Sequence, residues 1–212
     1  MLNNNLKHYF IGIALAPQST VETGIAVLDK DLNIITLDKA FSMQDLDFFF
    51  ENFSSLKNSV VMASIPENMT LLNSKWKVLA RKFQVLDSHK LLKNRQDWVT
   101  KTTNRGSELF SAYKKEGIDI FRFDVIELKK AWGLATIHKD RSPGDCKYVQ
   151  NVLKMKFMLE NIPSNMFPAS QLEAILGAIL AHRVYYGELG VDYKITGSYY
   201  EIDIVNAVYS PP

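Results

Sequence analysis

The chain has 212 residues, enough to bury a sizeable core in one large domain or two small ones. Hydrophobic residues make up 47% and charged residues 23%, the balance of a soluble globular protein, and no apolar run nears the roughly 20 residues that span a bilayer. A net charge of +2 is too small to argue for nucleic acid by itself, and the single cysteine, Cys146, excludes an internal disulfide. With no run of signal-peptide type, a cytoplasmic protein without membrane association is expected.

In chain order, Met1 to Lys7 is polar, and three strands follow it. Tyr9 to Ala16 is almost unbrokenly apolar, the pattern of a strand buried on both faces. Gly12 within it leaves room for another backbone or a ligand to approach. Thr23 to Leu28 reads as a second strand, Asp29-Lys30-Asp31 as a turn, and Asn33 to Phe41 as a third strand. Ser42 with Asp45 three residues later marks the start of a helix over about Met43 to Phe53, with Leu46, Phe49, Phe50 and Phe53 on one face. Asn58 to Ile65, closed by Pro66, is a fourth buried strand, and a helix between it and the hairpin fits a parallel crossover.

The middle is less periodic. Asn73 to Phe83 is amphipathic and basic, Asn94 to Thr103 reads as a loop, and Arg105 to Gly117 as a helix stopped by glycine. Ile118 to Ile126 alternates as a fifth strand, Leu128 to Leu134 starts a short helix, and His138 to Asp145 is a charged surface loop. Helices are expected over Tyr148 to Asn161 and from Pro168-Ala169-Ser170 to about Gly187, and Lys194 to Tyr209 as a hairpin or extended return. No repeat or linker divides the chain. It reads as a single domain over 1–212, with a helical insert at about 68–117.

Strands and helices in this order define an α/β class, a mixed five-stranded sheet with three antiparallel strands followed by parallel ones, flanked by helices. Four segments carry a resemblance: Gly12-Ile13-Ala14-Leu15-Ala16, Ala63-Ser64-Ile65-Pro66, Val125-Ile126-Glu127, and Gln171-Leu172-Glu173-Ala174-Ile175-Leu176-Gly177-Ala178. They resemble the motifs of a family of bacterial predicted nucleases with a ribonuclease H-like fold, distant relatives of RuvC-type resolvases. Those motifs are Gly-Ile-Asp-x-Ala in strand one, Ile-Asp-Ala-Pro after strand four, Val-Ile-Glu after strand five, and an Asp-Ala-x-x-Ala helix start. The helix at Arg105 to Gly117 also resembles an Arg-containing helix of that family.

The resemblance implies nucleic acid as partner and two Mg²⁺ or Mn²⁺ ions held by carboxylates, one ion activating water and one stabilising the leaving oxygen. The strand-one acid, which bridges both metals, corresponds here to Ala14, and the strand-four acid to Ser64. Neither side chain replaces a carboxylate. The carboxylates that remain as a catalytic and metal set are Glu67, Glu127 and Glu173, with Arg105, Lys75 and Arg81 as substrate contacts.

Each has an ordinary reading too. Glu67 suits a loop or a helix start. Glu127 suits a surface carboxylate paired with Lys129 or Lys130. Ser170 and Glu173 spell a capping box, in which each side chain bonds the other's backbone. Lys75, Lys77, Arg81, Lys82, Lys90, Lys93 and Arg95, interleaved with Trp76, Phe83 and Trp98, suit a phosphate-tracking surface or a solvated helix face. His8, His89, His138 and His182 lack metal-ligand spacing, Cys146 lacks a local partner, and no phosphate loop is present. Phe48, Phe49, Phe50, Tyr185 and Tyr186 read as core.

Three functions are therefore open: a binding module whose two-metal catalysis is impaired or lost, an active Mg²⁺- or Mn²⁺-dependent phosphodiesterase with rearranged glutamates, and a nucleotide-binding actin-like domain. Ala14 and Ser64 favour the first. The third rests on the opening hairpin alone, and such proteins need a second phosphate-binding hairpin and roughly twice the length.

Overall fold

The apolar run at the start of the chain becomes the central strand of a sheet. In a computed structural model, the described residues are 8–53, 56–65, 101–102, 104–106, 108–109, 112–113, 115–134, 136–159, 161–187, 192–199 and 202–208, with backbone alone for Glu127, 192–199 and 202–208. The elements are β1 (Tyr9–Ala14), β2 (Thr23–Asp29), β3 (Ile34–Ala40), α1 (Met43–Asn52), a 3-10 turn (Leu56–Asn58), β4 (Ser59–Ser64), β5 (Asp119–Phe123), α2 (Val125–Ala131), α3 (Pro143–Lys156), α4 (Ala169–Tyr186), β6 (Asp192–Tyr199) and β7 (Ile202–Val208). Between β4 and β5, the described residues from 101 to 115 are helical.

Five strands form one sheet in the order β3-β2-β1-β4-β5. β1, β2 and β3 are antiparallel neighbours, whereas β4 runs parallel to β1 and β5 parallel to β4. This is the mixed sheet expected from the sequence, and its order and directions are those of the ribonuclease H-like fold. β6 and β7 pair separately as an antiparallel hairpin.

Side chains alternate across the sheet and so build two apolar layers. On one face Phe10, Ala14, Ala26, Leu28, Val60 and Met62 pack with α4. On the other Ile11, Ile13, Ile25, Val27, Val61 and Ala63 pack with Leu46 and Phe50 of α1 and with Leu109 and Tyr113. That alternation is why β1 lacks a polar face. Thirteen of the eighteen residues of α4 are buried, so this helix is apolar all round and sits as a central rod on the sheet.

Two glycines let α4 come unusually close. A Cβ at Gly12 would overlap the Ala174 carbonyl oxygen and lie 2.5 Å from the Ala178 nitrogen. One at Gly24 would overlap the Ser170 carbonyl and lie 2.8 Å from the Gln171 nitrogen. The backbone approach that Gly12 allowed in sequence is thus made by a helix.

Local signals set the smaller elements. Ser42 and Asp45 form a reciprocal capping box at the start of α1, with the Asp45 nitrogen donating to Ser42 Oγ at 3.1 Å and the Ser42 nitrogen to Asp45 Oδ2 at 2.8 Å. Asp29 closes the hairpin by accepting from the Asp31 and Asn33 nitrogens. α4 stops at Gly187 in the left-handed conformation, φ 62°.

Several expectations are corrected. Phe48 is 69% exposed rather than in the core, because Leu46 and Phe50 take the buried stripe of α1. Lys101 and Thr102 are helical rather than part of the loop expected over Asn94 to Thr103, whose other residues lie outside the described ones. The expected strand over Ile118 to Ile126 stops at Phe123: Asp124 Oδ1 accepts from the Ile126 nitrogen at 2.9 Å and turns the chain into α2. α3 begins at Pro143, five residues before the expected Tyr148, since Ser142 caps it and proline suits its first position. The amphipathic segment Asn73 to Phe83 and most of the expected insert lie outside the described residues.

Because the groups facing Gly12 and Gly24 are backbone, a methyl there cannot be accommodated by a rotamer change. Gly12→Ala and Gly24→Ala are each expected to cost about 1–3 kcal/mol or more, read as a lower urea midpoint at unchanged slope. A midpoint equal to the parent's would show that α4 does not rest on these positions.

Candidate functional site

The parallel pair β1–β4 ends at a cleft of about 80 Å³, lined by Ala14, Glu22, Ser64, Asp124, Asp140, Arg141 and Glu173 among others. In an open α/β sheet the crevice beyond the carboxyl ends of parallel strands is where ligands bind, since loops and helix starts converge there. The fold therefore places this cleft where the chemistry is expected.

Each charged group reaches the cleft for a local reason. Glu22 stands just before β2, where Thr23 Oγ1 accepts from the Ala16 nitrogen at 3.0 Å and closes the β1–β2 loop. Asp124 sits at the β5–α2 turn that it caps. Asp140 and Arg141 lie in the loop before α3. Glu173 is in the second turn of α4, which Gly12 and Gly24 hold against the sheet.

Asp145 is the anchor of the Arg141 loop. It is buried, and its Oδ2 accepts from the Lys129 Nζ at 3.0 Å and from the Arg141 nitrogen at 2.9 Å, while Oδ1 accepts from Thr136 Oγ1 at 3.3 Å. Lys129 also donates to Asp140 Oδ1 at 2.8 Å. Burial alone would lower the Lys129 pKa, but the hydrogen bonds to Asp140 and Asp145 outweigh it and raise it. Lys129 is thus a fixed cation. Arg141 has φ 60°, a left-handed backbone unusual for a residue with a side chain. From that position its Nε lies 3.5 Å from Glu173 Oε1.

Glu173 is 6% exposed, and desolvation pushes its pKa up to about 7 even though Arg141 and Lys129 pull it down. The expected capping box at Ser170 and Glu173 does not form. The N-cap of α4 is Pro168, whose carbonyl accepts from the Gln171 and Leu172 nitrogens, so Ser170 already lies inside the helix. Its hydroxyl donates to Glu22 Oε1 instead, and Glu173 turns to Arg141.

The expected site residues are placed as follows. Glu173 is in the cleft, as are the Ala14 and Ser64 positions. Glu127 belongs to α2 rather than ending a strand, and the strand-end acid of that segment is Asp124. Lys129, offered as a partner for Glu127, is bonded to Asp140 and Asp145. Glu67, Lys75 and Arg81 lie outside the described residues. Arg105 donates to the Ala16 carbonyl at 2.9 Å and the Phe41 carbonyl at 3.2 Å, tying the β1 end to the start of α1. Cys146 is buried and burial raises its thiol pKa, the reverse of an activated nucleophile. His182 packs its ring 4.8 Å from Phe10.

Glu22, Asp124, Asp140 and Arg141 are the cleft residues that sequence reasoning missed. For Arg141 a signal existed: Ser142-Pro143 with Asp145 is a helix start, which moves Arg141 from a surface loop to a helix boundary.

The sequence resemblance implies two divalent cations here, but at the positions it assigns to the first two acids Ala14 offers a methyl and Ser64 a hydroxyl, which do not fit them. Glu173 faces a guanidinium, and burial raises its pKa to about 7. Among the described residues no three His, Cys, Asp or Glu side chains are arranged to hold a metal ion.

No family model matches the chain, and no curated protein matches it. Among solved structures it is similar to T. thermophilus RuvC in complex with a Holliday junction substrate, at 12% identity over 84% of this chain and 96% of that chain, with a TM-score of 0.45. At that TM-score the strand order, rather than the likeness, defines the fold.

A carboxyl whose pKa is raised on folding binds its proton more tightly in the folded state, so stability falls as pH rises from the unfolded to the folded value. Ionised Glu173 therefore costs stability above about pH 7. Glu173→Gln is expected to stabilise the protein at about pH 8 by on the order of 3 kcal/mol, with the gain vanishing below about pH 5. Urea unfolding at both pH values checks this; a gain that does not depend on pH would contradict it.

Proposed function

We propose that this chain is a ribonuclease H-like protein in which two-metal phosphodiester hydrolysis has been lost and the fold serves as a binding module. The observation that carries the reading is the composition of the cleft: Ala14 stands at the bridging-acid position, and the Arg141 guanidinium lies 3.5 Å from the one carboxylate that α4 supplies. Two-metal hydrolysis needs at least one carboxylate shared between ions about 4 Å apart, and a guanidinium beside it repels both. Ser64 can donate or accept a hydrogen bond but contributes no charge to offset a second cation.

Nucleic acid is the partner class that the sequence resemblance implies. The basic cluster from Lys75 to Arg95 is the segment best suited to contact a phosphate backbone by charge and aromatic stacking. The cleft itself, with Glu22, Asp124, Asp140 and Glu173 around one arginine, repels phosphate. In this reading phosphate contact therefore falls to that segment and not to the acidic side chains of the cleft.

Two measurements on the purified chain test it. Calorimetric titration with Mn²⁺ is expected to show no heat of binding at micromolar levels, and branched DNA, duplex DNA and RNA are expected to survive incubation with Mg²⁺ or Mn²⁺ uncut. Fluorescence anisotropy with the same nucleic acids reports binding, whose salt dependence gives the number of phosphates contacted. Cleavage that requires Mn²⁺ and is abolished by Glu173→Ala would overturn the reading in favour of a rearranged phosphodiesterase.

A further inference from the structure

We propose that the Arg141 guanidinium takes the place of a divalent cation in the cleft and keeps the cleft closed to Mg²⁺ and Mn²⁺. This rests on the reading that two-metal catalysis has been lost, and it assigns the exclusion to one side chain.

Four observations converge. Glu173 is the most buried carboxylate of the cleft, and the cation nearest to it among the described residues is Arg141, Nε to Oε1 at 3.5 Å. The Arg141 backbone is held in place: it is left-handed, and its nitrogen donates to Asp145, which Lys129 and Thr136 fix from the other side. A left-handed residue with a side chain persists only where its surroundings over-determine it, and here they direct a cation at an acid. The Arg141 side chain is 41% exposed and the Glu173 side chain 7%, so the guanidinium stands toward solvent and the acid lies behind it.

The chemistry follows from charge. A buried carboxylate in its ionised form is stabilised by a cation, which either a metal or a guanidinium can supply, but two cations in one small cleft repel. With alanine at position 14 the carboxylate that would bridge two ions is absent, and Arg141 pairs with Glu173, the buried acid of the cleft. The two changes are distinct: one removes a ligand, the other occupies the ligand that stays. Ala14 faces α4 on the same side of β1 as Gly12, so a carboxylate introduced there points toward Glu173.

The test separates them with the full-length chain and Mn²⁺ alone, at about pH 8 so that Glu173 is ionised. Calorimetry is run on the parent, Ala14→Asp, Ala14→Asp with Arg141→Gln, and Ala14→Asp with Arg141→Lys, each checked for folding by circular dichroism. The proposal expects Mn²⁺ affinity to rise at least about tenfold from Ala14→Asp to the Arg141→Gln double variant, and to stay low with lysine, which keeps the charge. Equal affinity in Ala14→Asp and the double variant overturns the proposal and leaves the loss of catalysis standing. A folded double variant that binds no Mn²⁺ also overturns it. Micromolar Mn²⁺ binding by the parent overturns both. Should Ala14→Asp fail to fold, Arg141→Gln alone carries the test through paramagnetic broadening of NMR signals around Glu173. Broadening absent from the parent and present in Arg141→Gln supports the proposal, and none in either overturns it.

Discussion

The seating of α4 on the sheet depends on two positions without a side chain. At Gly12 and Gly24 the helix backbone fills the space that a Cβ would need, so the first three turns of α4 lie directly on β1 and β2. Close approach at that level fixes the height and rotation of the helix, and Glu173 is carried with it. Gly177 continues the contact on the helix side: a Cβ there would lie 3.2 Å from the Gly12 Cα. Two backbones in contact leave little slack, and this precision is what allows a single carboxylate to be delivered to the strand ends.

Charge then decides what the cleft does. Burying Glu173 is unfavourable in its ionised form, and two cations offset this: the Arg141 guanidinium beside it and the buried Lys129, which Asp140 and Asp145 hold. In the proposed reading the cation beside Glu173 belongs to the chain itself, whereas a hydrolytic two-metal site leaves its carboxylates free until ions arrive. Asp145 makes the difference possible, since it is buried, doubly bonded on one oxygen, and sets both the start of α3 and the direction of Arg141.

Much of the fold was legible because its signals are local or periodic. The unbroken apolar run of β1 announced burial on both faces, the Ser42–Asp45 pair marked the start of α1, and Gly12 marked a close approach. The cleft was less legible. Ser170 and Glu173 fit a capping box by spacing, but the helix starts two residues earlier and long-range partners, Glu22 and Arg141, take the place of the local bonds. Asp124 was passed over for Glu127 because an alternating pattern hid the point where β5 turns into α2. The pairing of Arg141 with Glu173 joins segments separated by a whole helix, and no local pattern encodes such a contact.

Crystals of the full-length chain grown with MnCl₂ test the central claim most directly, through an anomalous difference map at the manganese edge. The account predicts the Arg141 guanidinium against Glu173 and no anomalous peak in the cleft. A manganese peak at about 2.2 Å from a Glu173 oxygen, with Arg141 displaced toward solvent, would contradict it.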